Sequence, residues 1–366
     1  MSAKGRLEHE FRPPWGSEAA KPQAWGEQTN VSRRRLLHII IAAAAIALPL
    51  ATSSANAETN EIRIGRQTGL GYLQFHVIEA RKLIEKHAKA LGLGDVTVTF
   101  RKIPSPAGLN DALLSGGIDF SVAGFPPFLT LWDKTRGNQD IRAVAALESQ
   151  PLLLVTNDPK VKTLRDFGDN DRIAVPTVKL STQAMFVEMA AEHEFGKFDA
   201  LDHLTVSMPH AEAVAALLSG SAGITADFSS TPFQYVELAN PKIHTVTSSY
   251  EIIGGPVTTT AVWTTAKFAN DNPKALQAVF DAVVEATQFI HDHKAEAARI
   301  YKKIENDKMS EADLVKMLDD PEQIFSVEPT NTLKMATFMH RIGRLKHEPQ
   351  SWKDYFFPVM NGRSGS

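Results

Sequence analysis

The chain has 366 residues, no cysteine and a formal net charge of −3. Without a thiol it can form no disulfide, thiolate metal site, cysteine nucleophile or lipid-modified cysteine anchor. The first 57 residues hold seven Lys/Arg and four Asp/Glu, so the rest carries 32 basic against 38 acidic residues, a balance that argues against a nucleic-acid or anionic-membrane partner.

Residues 1–31 are polar and show no periodicity. Ser32-Arg33-Arg34-Arg35-Leu36-Leu37 then leads into an alanine-heavy apolar run, Ile39 to Leu50, and on to Ala55-Asn56-Ala57. A charged region, a moderate apolar region and an Ala-x-Ala site in that order predict a secretory signal peptide cleaved after Ala57. The run is too short to remain as a bilayer span. Its basic part is similar to a twin-arginine export signal, with His38 where the usual form has Lys; an ordinary basic region for general export is the alternative. Either route places the product in the periplasm.

The remaining chain is long enough for two lobes of ordinary size. Glu61–Gly65 alternates as a strand, and a Gly69–Gly71 turn opens a helix from Leu73 to Leu91. Val96–Phe100 is the next strand, and Pro104–Gly108 is a loop before a helix over 109–114. The first copy of a repeated pattern, with a short buried strand in it, follows, and Val144–Leu147 reads as a further strand. This βαβαβ order predicts a largely parallel sheet covered by helices. A second set repeats the logic: strands at 152–155, 172–176 and 205–208, with a helix from Thr182 to His193. Ile243–Val246 and Thr258–Trp263 are expected to carry the chain back, and four helices between 275 and 345 complete it. The boundaries expected are 58–149 plus 257–366 for lobe I and 150–256 for lobe II, joined by short crossovers.

One pattern is written twice. Ala112-Leu113-Leu114-Ser115-Gly116 precedes Asp119-Phe120 and Phe125-Pro126, and Ala216-Leu217-Leu218-Ser219-Gly220 precedes Asp227-Phe228 and Pro232-Phe233. Each copy reads as a helix stopped by Ser-Gly, a buried strand, and a turn in which Pro opens the next helix. Two lobes facing one cleft would result.

Catalysis finds little support. The two dense histidine groups, at 192–194 and 291–293, lack the i, i+4 spacing of a helical metal site, and no serine lies in a Gly-x-Ser-x-Gly elbow. No catalytic residue, metal or cofactor is therefore expected. What the loops after the strands share is small hydroxyl residues and free backbone N–H groups, in the place where open α/β sheets bind ligands. The expected ligand-binding residues are Gln67, Thr68, Gly69, Tyr72, Ser105, Phe125, Pro126, Ser181, Thr182, His210, Asp227, Phe228, Ser229, Thr258 and Trp263. For each serine or threonine the competing role is helix capping, and for each aromatic it is core packing.

Ile62-Arg63-Ile64-Gly65 with Gly71-Tyr72, the doubled Leu-Ser-Gly segments, Val206-Ser207-Met208-Pro209-His210 and the ending Leu345 to Pro358 together resemble the nitrate/sulfonate/taurine family of ABC-transporter substrate-binding proteins. The resemblance covers about 60 to 358. It implies an α/β, type II periplasmic-binding-protein fold, two lobes with mostly parallel sheets around a ligand cleft. It also implies a monomer that hands a small-molecule ligand to ABC permease membrane subunits through a transient contact. Sulfonate, taurine, nitrate or a polar heteroaromatic are the ligand types implied. The only arginine beside the candidate loops is Arg66, so no arginine clamp for a dicarboxylate is evident. Two alternatives remain open: an extracytoplasmic enzyme on the same fold, and a ligand-presenting sensor.

Overall fold

Ile62 and Ile64 are fully buried, with Glu61 exposed before them and Arg63 half-buried between them, which sets Glu61–Arg66 (β1) into a sheet with its apolar side chains on the core. The computed structural model describes residues 58–366, and the expected leader, 1–57, lies outside the described residues. β1 pairs in parallel with Thr97–Lys102 (β2) and Phe120–Gly124 (β3). Beyond β3 the ladder turns antiparallel through Thr258–Thr264 (β10), which also pairs with Arg142–Ser149 (β4); Ile324–Phe325 (β11) closes that edge. The second sheet contains Leu153–Thr156 (β5), Ile173–Val175 (β6), Thr205–Ser207 (β7), Ala226–Ser229 (β8) and His244–Ser248 (β9). Its order is β7-β6-β8-β5-β9.

Set side by side, the first sheet reads β2-β1-β3-β10-β4 before its short edge strand, the same order as the second. In both, one antiparallel strand sits just beyond the strand of the doubled sequence pattern: β10 beside β3, and β5 beside β8. The expectation of mostly parallel sheets holds for strand direction, since β1 to β4 run one way and β6 to β9 run one way. The ladders themselves are mixed. The physical reason is connectivity: β5 and β10 follow the crossovers, arrive from the other sheet, and so insert against the common direction. β9 stays in the second sheet on β5, and the return is made by the helix Ser249–Ile253 and Gly254-Gly255-Pro256.

Both copies of the pattern fold alike. The helix Pro106–Leu114 runs into a left-handed Gly116 before β3, and the helix His210–Ser219 into Gly220 before β8. The expected helix 73–91 is interrupted, because Lys82 adopts φ 52° and divides it into Leu73–Arg81 and Leu83–Ala90. The helix Pro273–Asp292 buries an alanine- and valine-rich stripe, Ala275 to Ala286, against these two. The C-terminal segment is anchored by Trp132 Nε1 donating to the Asp354 carbonyl and by the Asp133 carboxylate accepting the N–H groups of Lys346 and His347. It thereby braces the helix Phe125–Thr135, in which Phe125 and Phe128 pack edge-on to Tyr355. Among the described residues no helix is long and apolar enough to cross a membrane.

Candidate functional site

The carboxyl ends of β1, β3, β4, β6 and β8 converge on one cavity, where the residues that follow each strand form its wall: Gln67 after β1, Gln150 after β4, Pro176 after β6 and Ser230 after β8, with Gly124 closing β3. The inserted strands present their opposite ends there, Thr259 and Thr260 of β10 and Leu152 before β5. Helices start at the same place. Pro106, Thr182 and His210 are the first residues of three helices, and Gly124 is the N-cap of a fourth. Each brings unpaired N–H groups and the positive end of its dipole toward the wall.

The two walls touch. Leu70 N–H donates to the Thr231 carbonyl at 3.1 Å, Thr231 N–H donates to Gln150 Oε1 at 2.9 Å, and Thr182 Oγ1 lies 3.4 Å from the Thr259 carbonyl. A side chain at Gly124 would overlap Thr182 Oγ1, so glycine there is required for close approach. The cavity between the walls is about 30 Å³, room for about two waters. Elsewhere Arg344 pairs with the buried Glu188 and also donates to the Lys179 carbonyl, while Arg341 pairs with Glu192. The Tyr250 hydroxyl donates to the Glu322 carbonyl at 2.9 Å.

No lining residue is Lys or Arg. Arg66, the one arginine of the candidate loops, is turned away: its guanidinium is 1% exposed and pairs with Glu305 at 2.6 Å and Glu79 at 3.2 Å. The lining is amide, hydroxyl and imidazole. The Tyr72 hydroxyl donates to Gln67 Oε1 at 3.1 Å, and Gln67 Nε2 to the Pro104 carbonyl. His210 stacks on Phe233, and its Nε2 lies 3.4 Å from both Gln183 Nε2 and Ser230 Oγ. The Gln183 amide nitrogen donates, so in that contact the neutral ring accepts at Nε2. Burial pushes the imidazole down to about 4, so the ring is neutral at ordinary pH.

Directly behind Gly71, Thr259 and Thr260 lies Glu148, 1% exposed. The Thr259 hydroxyl donates to its Oε1, as does that of Thr260 at 3.0 Å, and Gln323 Nε2 reaches Oε2 at 3.4 Å. Burial pushes this carboxyl up to about 7, and the neutral donors only partly oppose it. A buried acid pair lies in the second sheet's interior: Asp227 on β8 and Glu237 on the helix Phe233–Leu238. Burial first, then the neighbouring carboxylate, raises Asp227 well above the usual range.

Of the residues expected from sequence, Gln67, Gly69, Tyr72, Thr182 and His210 line the cavity. The others lie elsewhere, each for a physical reason. Thr68 sits between two lining residues without joining them. Ser105 and Ser181 cap their helices, accepting from Gly108 N at 3.2 Å and Ala184 N at 3.3 Å, so the neighbours Pro106 and Thr182 face the cavity instead. Phe125, Pro126, Phe228 and Trp263 are fully enclosed core residues; Phe228 packs on Phe186, and Trp263 on Phe128. Asp227 and Ser229 point into the second sheet's interior, and Ser230 and Thr231 take their place. Thr258 Oγ1 accepts from Thr330 N at 2.9 Å, and the next two threonines line the wall.

Sequence reasoning missed Gln150, Gln183, Thr231, Thr259, Thr260 and Glu148. A signal existed for two groups. Glu148-Ser149-Gln150 is a polar run ending the apolar strand Ala143–Leu147, and Thr258-Thr259-Thr260 opens a strand that continues Ala261-Val262-Trp263. Polar residues at the end of a core strand are costly unless partnered there, which marks the strand end as a polar site.

Residues 55–304 match the model of the NMT1-like family. No curated protein has a matching sequence. Among solved structures, the alkanesulfonate-binding protein SsuA from Xanthomonas axonopodis pv. citri, bound to MOPS, superposes with a TM-score of 0.64 at 15% identity, over 81% of this chain and 98% of that one. The periplasmic nitrate-binding protein NrtA from Synechocystis PCC 6803 gives 0.63 at 18% identity, over 84% and 86%. The periplasmic aliphatic sulphonate binding protein SsuA from Escherichia coli gives 0.61 at 16%, over 82% and 92%. At these identities the likeness shows the fold, that of the periplasmic binding proteins.

Proposed function

Because this chain belongs to the NMT1-like family, we propose that it is the solute-capturing component of an ABC importer, working in the periplasm and binding its ligand without transforming it. The observation that carries this reading is the cavity at the matching ends of two sheets of identical strand order, lined from both sides by neutral hydrogen-bonding groups. The lobes are 58–149 plus 257–366 and 150–256, each built on one sheet, with the crossovers as hinges. A solute enters when the walls part, and closure re-forms the contacts Leu70–Thr231 and Thr182–Thr259 over it. Closure is a population shift, driven by contacts the solute makes only in the closed form.

The leader supports export to the periplasm, and the solved relatives named as periplasmic support the same location. A monomer that meets permease subunits transiently completes the reading. The solute is a small polar organic molecule, anionic or heteroaromatic, with its acceptor atoms toward the helix starts at Thr182 and His210.

One contact favours a second reading. Ser230 Oγ and His210 Nε2, 3.4 Å apart, resemble a nucleophile and its base. Against hydrolysis, no carboxylate orients the ring, because His210 Nδ1 has no partner, and the Gln183 amide competes for the same nitrogen.

Mass spectrometry of small molecules released from natively purified protein identifies the solute. Added back at 100 times its dissociation constant, it stabilises the fold by about 2.7 kcal/mol, read as a rise in melting temperature, and is recovered unchanged. Recovery of a cleaved product would favour the enzyme; no retained molecule and no thermal response to any small solute would end the proposal.

A further inference from the structure

An extended crossover turns successive side chains to opposite sides, and the one at 150–153 separates two concavities. Gln150 and Leu152 line the cavity between the sheets, while Pro151 and Leu153 line a separate groove. The segment 320–324 is two-sided as well. Asp320, Glu322 and Ile324 line the groove, whereas Gln323 reaches Glu148, which accepts from Thr259 and Thr260 of the cavity wall. The other crossover borders the groove through Gly255 and Pro256.

The groove holds about 680 Å³, within the usual range for a small-molecule site. Of the seven large apolar side chains that stand out into solvent among the described residues, three line it: Tyr235, Leu238 and Ile324. Exposed apolar surface gathered in one concavity marks a binding surface, as scattered side chains do not. Its charged residues are Glu251, Asp320 and Glu322, with no Lys or Arg in the lining. The donors these carboxylates meet are neutral. The Tyr235 hydroxyl donates to Asp320 at 3.2 Å, and the Thr247 hydroxyl and Ser248 N–H donate to Glu251. Lys334, a basic residue beside the second crossover, is bonded to the Ile253 carbonyl instead. One buried acceptor is left over. Gln234 lines the groove and is 3% exposed; its Nε2 donates to Thr231 Oγ1, and its Oε1 has no partner. Such an acceptor is costly unless an occupant supplies the donor.

We propose that this groove is a second binding site, for a small organic cation that has an apolar body and N–H donors. Its positive group meets Glu251, Asp320 and Glu322, an N–H satisfies Gln234 Oε1, and its apolar body covers Tyr235, Leu238 and Ile324. The two tyrosine hydroxyls report the sign of the field. Tyr235 is pushed up to about 12 and Tyr250 is raised as well, by burial first and then by carboxylates that include Asp320 and Glu322.

The occupant bridges the proposed lobes. Tyr235 and Tyr250 belong to 150–256, Asp320 and Glu322 to 257–366, and the two sides already touch through Tyr235–Asp320 and Tyr250–Glu322. A cation held by both sides favours the arrangement in which these contacts exist, with the cavity walls together. This closing role rests on the reading of the inter-sheet cavity as the solute site; the chemistry of the groove does not.

Calorimetric titration of the mature protein with phenylguanidinium, its neutral isostere phenylurea and the anion benzoate tests the site. Phenylguanidinium binds roughly tenfold more tightly than phenylurea, and benzoate does not bind. Asp320→Asn with Glu322→Gln removes that advantage, whereas Gln183→Ala in the inter-sheet cavity leaves it in place. Phenylurea binding as tightly as the cation would overturn the site, and so would a doubly substituted protein that keeps the full preference. Loss of phenylguanidinium binding in Gln183→Ala would put the probe in the other cavity and overturn the groove. The wild-type comparison stands even if a variant fails to fold, and Glu322→Gln alone, at an exposed residue, is the milder variant. No binding of phenylguanidinium at millimolar concentration would overturn the site, even where a lysine-rich peptide binds in its place. Saturation with phenylguanidinium also lowers the radius of gyration by small-angle scattering. Binding without that fall would overturn the closing role, and a protein that binds phenylguanidinium but captures no solute would overturn solute capture while the groove stands.

Discussion

A carboxyl group removed from water without a cation either keeps its proton or destabilises the fold, and Glu148 is poised between the two outcomes. Its folded value of about 7 lies above the ordinary 4.5, so its favourable contribution is complete below pH 4.5 and is lost as pH rises through 7. Glu148→Gln in the ligand-free protein should therefore stabilise at pH 8 by about 2–3 kcal/mol and change little near pH 5. Thermal melts at the two pH values check this, and an equal effect at both would contradict it. A carboxyl kept at such a cost is expected where binding, rather than stability, sets the residue. Glu148 was visible in the sequence only as a charge ending an apolar strand. Its partners Thr259 and Gln323 lie 111 and 175 residues away, so nothing local announces the network.

At the scale of elements, the end of β1 is held by charge. Arg66 projects from the strand into Glu305, the last residue of the helix Lys294–Glu305, and Glu305 also meets His76 at 2.6 Å and Lys102 at 2.9 Å. Burial raises the Glu305 carboxyl, but bonds from His76, Lys102 and Arg66 outweigh it and hold the group at about 2. Its contribution is present above pH 4.5 and is lost as pH falls toward 2. Glu305→Ala leaves the buried Arg66 guanidinium without its nearest carboxylate and should cost about 3–5 kcal/mol at neutral pH, measured by denaturant unfolding; a loss under 1 kcal/mol would show that Glu79 suffices. The same element sets the cavity, since Gln67 follows Arg66 directly. The periodic strands and helices were legible from local sequence. The break at Lys82 was not, and nothing in the residues around it demands one.

At the scale of the molecule, the proposed two-lobe closure depends on how closely the walls meet. Gly124 and Thr182 leave no room for a Cβ between them, and the Arg344–Glu188 pair is a further contact. Gly124→Ala should hold the walls apart, lower solute affinity at least tenfold and raise the radius of gyration of the solute-saturated protein by small-angle scattering. Unchanged affinity would mean that the two lobes do not close at this point. The doubled Leu-Leu-Ser-Gly pattern foretold two similar halves, and β3 and β8 occupy equivalent places in sheets of one order. By itself the sequence determined composition, the α/β alternation, the repeat and the loops from which a site would be drawn, because these follow from local periodicity and turn chemistry. Only the tertiary structure decided which side chain of each loop faces the cavity. Ser181 or Thr182, Ser229 or Ser230, Thr258 or Thr259: each pair differs by one residue, and in a strand or helix start one step turns the side chain from the interior to the wall.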